Sequence, residues 1–143
     1  MKGNLKIQMK PKERIYINGG LLRVDRRVTL ELLNEMDFLL ECNVLHEHQA
    51  TTPLRQLYFV IQSMLIEPQA RGLAAQIYEA QHRRLLETIK DRDVLEHLVD
   101  IKMLVASDRI YDALKRLRSL FAFEDAETAE LQTSGSDKMR ETA

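Results

Sequence analysis

Apolar and polar residues alternate through the first 42 residues in five short runs, 5–10, 14–18, 21–24, 27–33 and 37–42. A period of two is the pattern of half-buried strands. Leu5, Ile7 and Met9 alternate with Lys6, Gln8 and Lys10, and Pro11, which has no amide donor, ends the run. Ile15 and Ile17 alternate with Arg14, Tyr16 and Asn18. Asn18-Gly19-Gly20 tolerates positive φ and favours a tight hairpin turn. Leu22 and Val24 resume the pattern, Asp25-Arg26 makes a bend, and Val28, Leu30 and Leu32 alternate with Thr29, Glu31 and Leu33. Asn34-Glu35 turns into Met36, Phe38 and Leu40. The expected topology is a meander of sequential hairpins.

A polar connector, 43–50, leads to Thr51-Thr52-Pro53. That triplet reads as a helix start, with Thr52 as N-cap and Pro53 at the first helical position. This helix runs to about residue 66, and Pro68 closes it. A second helix is expected over 69–90, with Leu73, Ile77, Leu85 and Ile89 on one stripe. A third, over 92–106, gathers Leu95, Leu98, Ile101 and Leu104/Val105, and a fourth begins at Ser107-Asp108 and carries Ile110, Leu114, Leu117 and Phe121. From Glu124 onward six acids face two bases and apolar residues thin out, so that stretch is expected to be a disordered tail. The fold class is therefore α+β: a small N-terminal antiparallel β meander of five strands packed on a C-terminal bundle of four α-helices. The units are 1–50 (basic β), 51–123 (helical) and 124–143 (acidic tail). Forty residues of sheet bury too little alone, so the strands must pack on helices or on a second subunit.

Charge is distributed unevenly. Residues 1–33 hold eight Lys/Arg against three acids, in a chain whose net charge is −1. A cationic β unit in a near-neutral protein points to an anionic ligand, nucleic acid first. Lys6, Lys10, Lys12, Arg14, Arg23, Arg26 and Arg27 would meet phosphates, and Tyr16 and Asn18, on the outward set of their strand, would meet bases. The alternative is that Lys and Arg on short strands keep their edges from pairing with other chains.

On the first helix, Arg55, Gln56, Gln62 and Ser63 fall on one side around Phe59, opposite Leu54, Leu57, Tyr58, Ile61 and Leu65. Arg55, Gln56, Phe59 and Gln62 are thus a candidate partner-binding face, unless the helix is sandwiched and Phe59 is core. His46-Glu47-His48 lacks a third metal ligand, His82 and His97 read as surface or partly buried, and Cys42 reads as a buried small apolar residue. Arg109, Lys115, Arg116 and Arg118 on the last helix could extend a basic surface or be a solvated helix face.

No G-x-S-x-G, P-loop, G-x-G-x-x-G or H-E-x-x-H motif occurs, and no carboxylate pair stands out, so neither an enzyme nor a cofactor or metal is expected. A hydrophobic content of 45% and a charged content of 30% fit a soluble globular protein. No apolar run approaches the ~20 residues that span a bilayer. The N-terminus lacks the apolar segment of a secretory signal, and the single cysteine suits a reducing compartment. The expected location is the cytoplasm, with no membrane partner.

Two segments carry a family resemblance. One is Lys10-Pro11-Lys12-Glu13-Arg14-Ile15-Tyr16-Ile17-Asn18-Gly19, continuing to Leu22-Arg23-Val24-Asp25-Arg26. The other is Ala50-Thr51-Thr52-Pro53-Leu54-Arg55-Gln56-Leu57-Tyr58-Phe59. Together they resemble the signatures of FlbT, the flagellum biosynthesis regulators of alphaproteobacteria, and the resemblance covers roughly residues 4–121. It implies a post-transcriptional regulator, here expected to be a repressor, that binds the 5′ untranslated region of flagellin mRNA and lowers its translation or stability. It also implies a pathway shared with FlaF, so FlaF and flagellin are expected protein partners in an alternative adaptor reading. A homodimer, which would cover an exposed sheet edge, is a further expectation.

Overall fold

The computed structural model describes residues 5–129. Five antiparallel strands precede four helices: β1 (Leu5–Met9), β2 (Arg14–Ile17), β3 (Gly20–Arg23), β4 (Val28–Leu32), β5 (Phe38–Leu40), α1 (Pro53–Ile66), α2 (Arg71–Thr88), α3 (Arg92–Ala106) and α4 (Ile110–Arg118). The α+β class is as expected, but the strands do not pair in chain order. β1 pairs with β4 as a two-stranded ribbon, and β3-β2-β5 form a second sheet. Only β2 and β3 make a sequential hairpin. Asn18 (φ 51) and Gly19 (φ 82) form its two-residue turn, with Ile17 opposite Gly20.

The amphipathicity of the strands explains this exchange of partners. Pairing β1 with β4 puts Ile7 opposite Leu30 and Met9 opposite Val28 on one apolar face. That face covers Ile15 and Phe38 of the second sheet, and Ile7, Met9, Ile15 and Phe38 form a buried cluster between the two sheets. A single five-stranded meander would leave the same apolar residues on one open face.

The second sheet has another side. Leu39 and the ring of Tyr16 point away from that cluster into the helical core, which contains Leu54, Leu57, Tyr58 and Ile61 of α1 and Ala113, Leu114 and Leu117 of α4. The molecule thus has three layers: ribbon, sheet and helices. Burying a side chain such as Leu39 or Ile15 contributes roughly 1.5–3 kcal/mol, so the middle sheet is held from both sides.

Thr52 caps α1, its hydroxyl accepting from Arg55 N (3.4 Å), and Pro53 occupies the first turn. Asp91 caps α3 by accepting from Val94 N at 3.1 Å. α2 departs from the expected stripe: Ala74, Tyr78, His82 and Leu85 are buried, whereas Leu73 and Ile77 are 65% and 42% exposed. Buried His82 is satisfied by a 2.7 Å hydrogen bond with Leu98 O, which explains how a polar ring replaces an aliphatic side chain there. Cys42, expected inside, is exposed in the 3₁₀ turn Glu41–Asn43. Among the described residues no helix is long and apolar enough to cross a membrane.

The expected tail begins too early. Residues 121–129 are helical, and Glu124 is buried. Its carboxylate accepts from Thr52 Oγ1 (2.5 Å), Leu54 N (2.8 Å) and Arg55 Nη1 (3.0 Å). An anion at the N-terminus of α1 satisfies free amides and opposes the positive end of the helix dipole, so this acid is an internal structural group. The remaining part of the expected tail, 130–143, lies outside the described residues.

Candidate nucleic-acid interface

The strand register decides where the cations go. Met9 opposite Val28 brings the end of β1 to the start of β4, and Arg14 opposite Arg23 brings the start of β2 to the end of β3. The two connecting loops therefore meet at one end of the β unit. Lys12 N donates to Val24 O (2.8 Å) and Val24 N to Glu13 O (3.2 Å), which sets two residues against one in a bulge with Lys12 at φ 70. Five of the expected contact residues lie on these loops and their rims: Lys10, Lys12, Arg23, Arg26 and Arg27.

All five are exposed. Arg26 holds Asp25 (3.2 Å), an ion pair open to solvent on both sides, and Glu13 accepts from the backbone of Lys10 at 3.1 Å. Lys10, Lys12, Arg23 and Arg27 make no ion pair among the described residues. Arg14, on the same end, is committed internally: its guanidinium grips Glu41 with two bonds of 2.8 and 2.9 Å. That grip holds the Glu41 carboxyl below its usual range, chiefly through the side-chain hydrogen bond.

The other expected contacts are elsewhere. Lys6 lies on the outer face of the ribbon, opposite Glu31. Asn18 is in the hairpin turn at the far end, where Gly19 meets Pro68 so closely that an added Cβ would come within 3.1 Å of its ring. Tyr16 is half-buried against the helical core. The nine residues therefore do not share one face: five form a cationic end, and neither Tyr16 nor Asn18 is beside it.

The α1 face also divides. Arg55 donates to Glu124 and to Asp125 (2.9 Å), with its guanidinium 4.5 Å above the Phe121 ring. Gln62 is 3% exposed; its amide accepts from Leu45 N (2.8 Å) and donates to Leu45 O (2.6 Å). Both polar residues are spent inside the molecule. Gln56 remains exposed and Phe59 half-buried. The basic residues at and in α4 are likewise engaged, Arg109 just before it with Asp112, Arg116 with Asp100 and Arg118 with the Tyr58 hydroxyl (3.0 Å), while Lys115 is exposed. Tyr58 in turn donates to Asn43 O (2.7 Å). His46 and His48 stack at 5.8 Å on the connector, but the described residues contain no group of three metal-ligating side chains.

Glu124 is the internal ligand that sequence reasoning missed. Its only sequence signal is composition, an acid in an acidic stretch, and that signal points outward to solvent.

The chain matches the family model described as flagellar protein FlbT over residues 5–127. It is 46% identical over 124 residues to the probable flagellum biosynthesis repressor protein FlbT of Mesorhizobium japonicum, covering 87% of this chain and 84% of that one. The protein of the same name in Rhizobium etli (strain CIAT 652) is 47% identical over 125 residues, with the same coverage. The probable flagellum biosynthesis repressor protein FlbT 2 of Bradyrhizobium diazoefficiens is 44% identical over 129 residues, 90% of this chain and 95% of that one. No solved structure matches the chain.

Proposed function

The chain belongs to the FlbT family of flagellar proteins, and from that premise we propose that it represses flagellum biosynthesis by binding RNA, namely the 5′ untranslated region of flagellin mRNA. The supporting observation is the cationic end of the β unit. Exposed Lys10, Lys12, Arg23, Arg26 and Arg27 stand on two loops and their rims, and the Lys12–Val24 hydrogen bond stitches the loops together. Cations held on a rigid bulge can meet successive phosphates of an RNA loop without first ordering the backbone. Occupying the leader would lower translation or expose the transcript to nucleases, and the protein itself would perform no bond-breaking step. The protein would act in the cytoplasm, where the transcript is.

The test is binding of the full chain to a flagellin leader and to a scrambled RNA of equal length, across a salt series. The expected result is leader-selective binding whose log–log salt slope falls by about 0.7 for each phosphate contact removed. Reversing Lys10, Lys12, Arg26 and Arg27 together should abolish that selectivity. Equal, weak binding to both RNAs would overturn the reading. It would favour an adaptor instead, for which exposed Gln56 and half-buried Phe59 on α1 are the remaining surface for FlaF or flagellin.

A further inference from the structure

β3 is the edge of its sheet, and all four of its residues are exposed. Leu21 and Leu22, on opposite faces of the strand, stand 47% and 50% open. Among the described residues β3 pairs with β2 alone, and of its four residues only Arg23, at the very end, carries a charge that would guard the edge. We propose that this edge pairs with β3 of a second copy of the chain, antiparallel about a two-fold axis at Leu22, so that two three-stranded sheets become one of six.

The hydrogen-bonding direction selects the register. Val24 turns both its N–H and its C=O toward the start of β2. Alternation along an antiparallel strand then points the polar groups of Leu22 and Gly20 inward and those of Leu21 and Arg23 outward. Two copies satisfy those outward groups when Leu21 lies opposite Arg23 of the second copy and the reverse, an isologous contact with four new backbone bonds. Leu22 then faces its own counterpart in the closely spaced, non-hydrogen-bonded pair. The contact is apolar on that face, because Leu22 shares the side of its cross-strand partner Ile15, which is buried between the two sheets. The inter-sheet cluster would thus continue across the axis.

Charge favours the same antiparallel orientation. A parallel arrangement would bring the two cationic ends together. The antiparallel one sends Lys12, Arg26 and Arg27 of each copy to opposite ends of the joint sheet. On the intervening face, Arg23 lies beside Leu21 of the second copy, which its aliphatic stem can cover.

Sedimentation equilibrium of the full chain should give twice the 16.7 kDa of one chain at high micromolar concentration, and Leu22→Lys, at a half-exposed site, should return it to the monomer mass while its circular dichroism is unchanged. Register is tested by oxidation in a Cys42→Ser background. Leu22→Cys should form a covalent dimer readily, because Cα atoms of a non-hydrogen-bonded pair lie about 4.5 Å apart, within disulfide range. Leu21→Cys, whose counterpart would be a diagonal neighbour at about 7–8 Å, should not. A monomer mass for the unaltered chain, a dimer that survives Leu22→Lys, or equal cross-linking at both positions would each overturn the proposal.

Discussion

Gln62 lies on the side of α1 that a helical projection marks as polar, yet its amide is enclosed and serves one residue, Leu45, through both the N–H and the C=O. It acts as a side-chain substitute for a strand partner, pinning the connector to the helix. Gln62→Leu keeps the volume and leaves two partly buried backbone groups of Leu45 without these partners, so it should cost about 1–3 kcal/mol in urea-induced unfolding. Lys12 shows the reverse case, a long cationic side chain at a position suited to glycine. Its φ of 70 in the bulge is a conformation that costs an L-residue roughly 1 kcal/mol. Lys12→Gly should therefore raise stability by a few tenths of a kcal/mol or more while weakening RNA binding, two readouts moving in opposite directions. Glu41 adds a pH dependence. Its carboxyl is held below the ordinary range in the folded state by Arg14, so the stability it contributes is present above the unfolded-state pKa. That contribution is lost as pH falls through the lower, folded value. A pH series of thermal melts should show Glu41→Gln less stable than the unaltered chain near neutrality, with the gap closing in strong acid.

At the scale of elements, the N-terminus of α1 depends on a segment seventy residues away in the chain. Thr52 alone is an ordinary N-cap, but Glu124 adds bonds to Thr52, Leu54 N and Arg55 and is itself almost fully enclosed. Glu124→Ala leaves the guanidinium of Arg55 and a buried amide without their main partner. It should destabilise the chain by about 2–3 kcal/mol, whereas Asp125→Ala, at a largely exposed carboxylate, should cost under about 1 kcal/mol in the same denaturation series. The cap also shows why composition misleads at this boundary. Acid-rich, apolar-poor sequence describes the outer side of 124–129 well, while Glu124 itself points the other way into the helix end.

At the scale of the whole molecule, three layers carry an uneven charge pattern. The described cations of the β unit are divided among one solvent-facing end, Arg14 paired with Glu41, and Lys6 on the outer ribbon face, so total charge overstates the proposed RNA-contacting surface. Lys6→Glu, on the outer ribbon face, should leave RNA affinity and its salt slope unchanged. The same reversal at Arg27 should lower both. Equal losses at the two positions, read by filter binding, would show that binding follows net charge and not the cationic end.

Much of this architecture was legible from local pattern. Five alternating runs became five strands, Asn18-Gly19 became the turn between β2 and β3, and Thr52-Pro53 opened α1 where their chemistry requires it. Those features depend on backbone sterics and on neighbours within a few residues, and the residues themselves contain that information. The pairing of β1 with β4, the burial of His82 and Gln62, the outward Leu73 and Ile77, and the capture of Glu124 were settled only by tertiary structure. Each depends on a partner distant in the chain. An alternating strand has an apolar side but no label for the strand beside it, and a polar side chain is buried wherever a distant backbone group completes its hydrogen bonds.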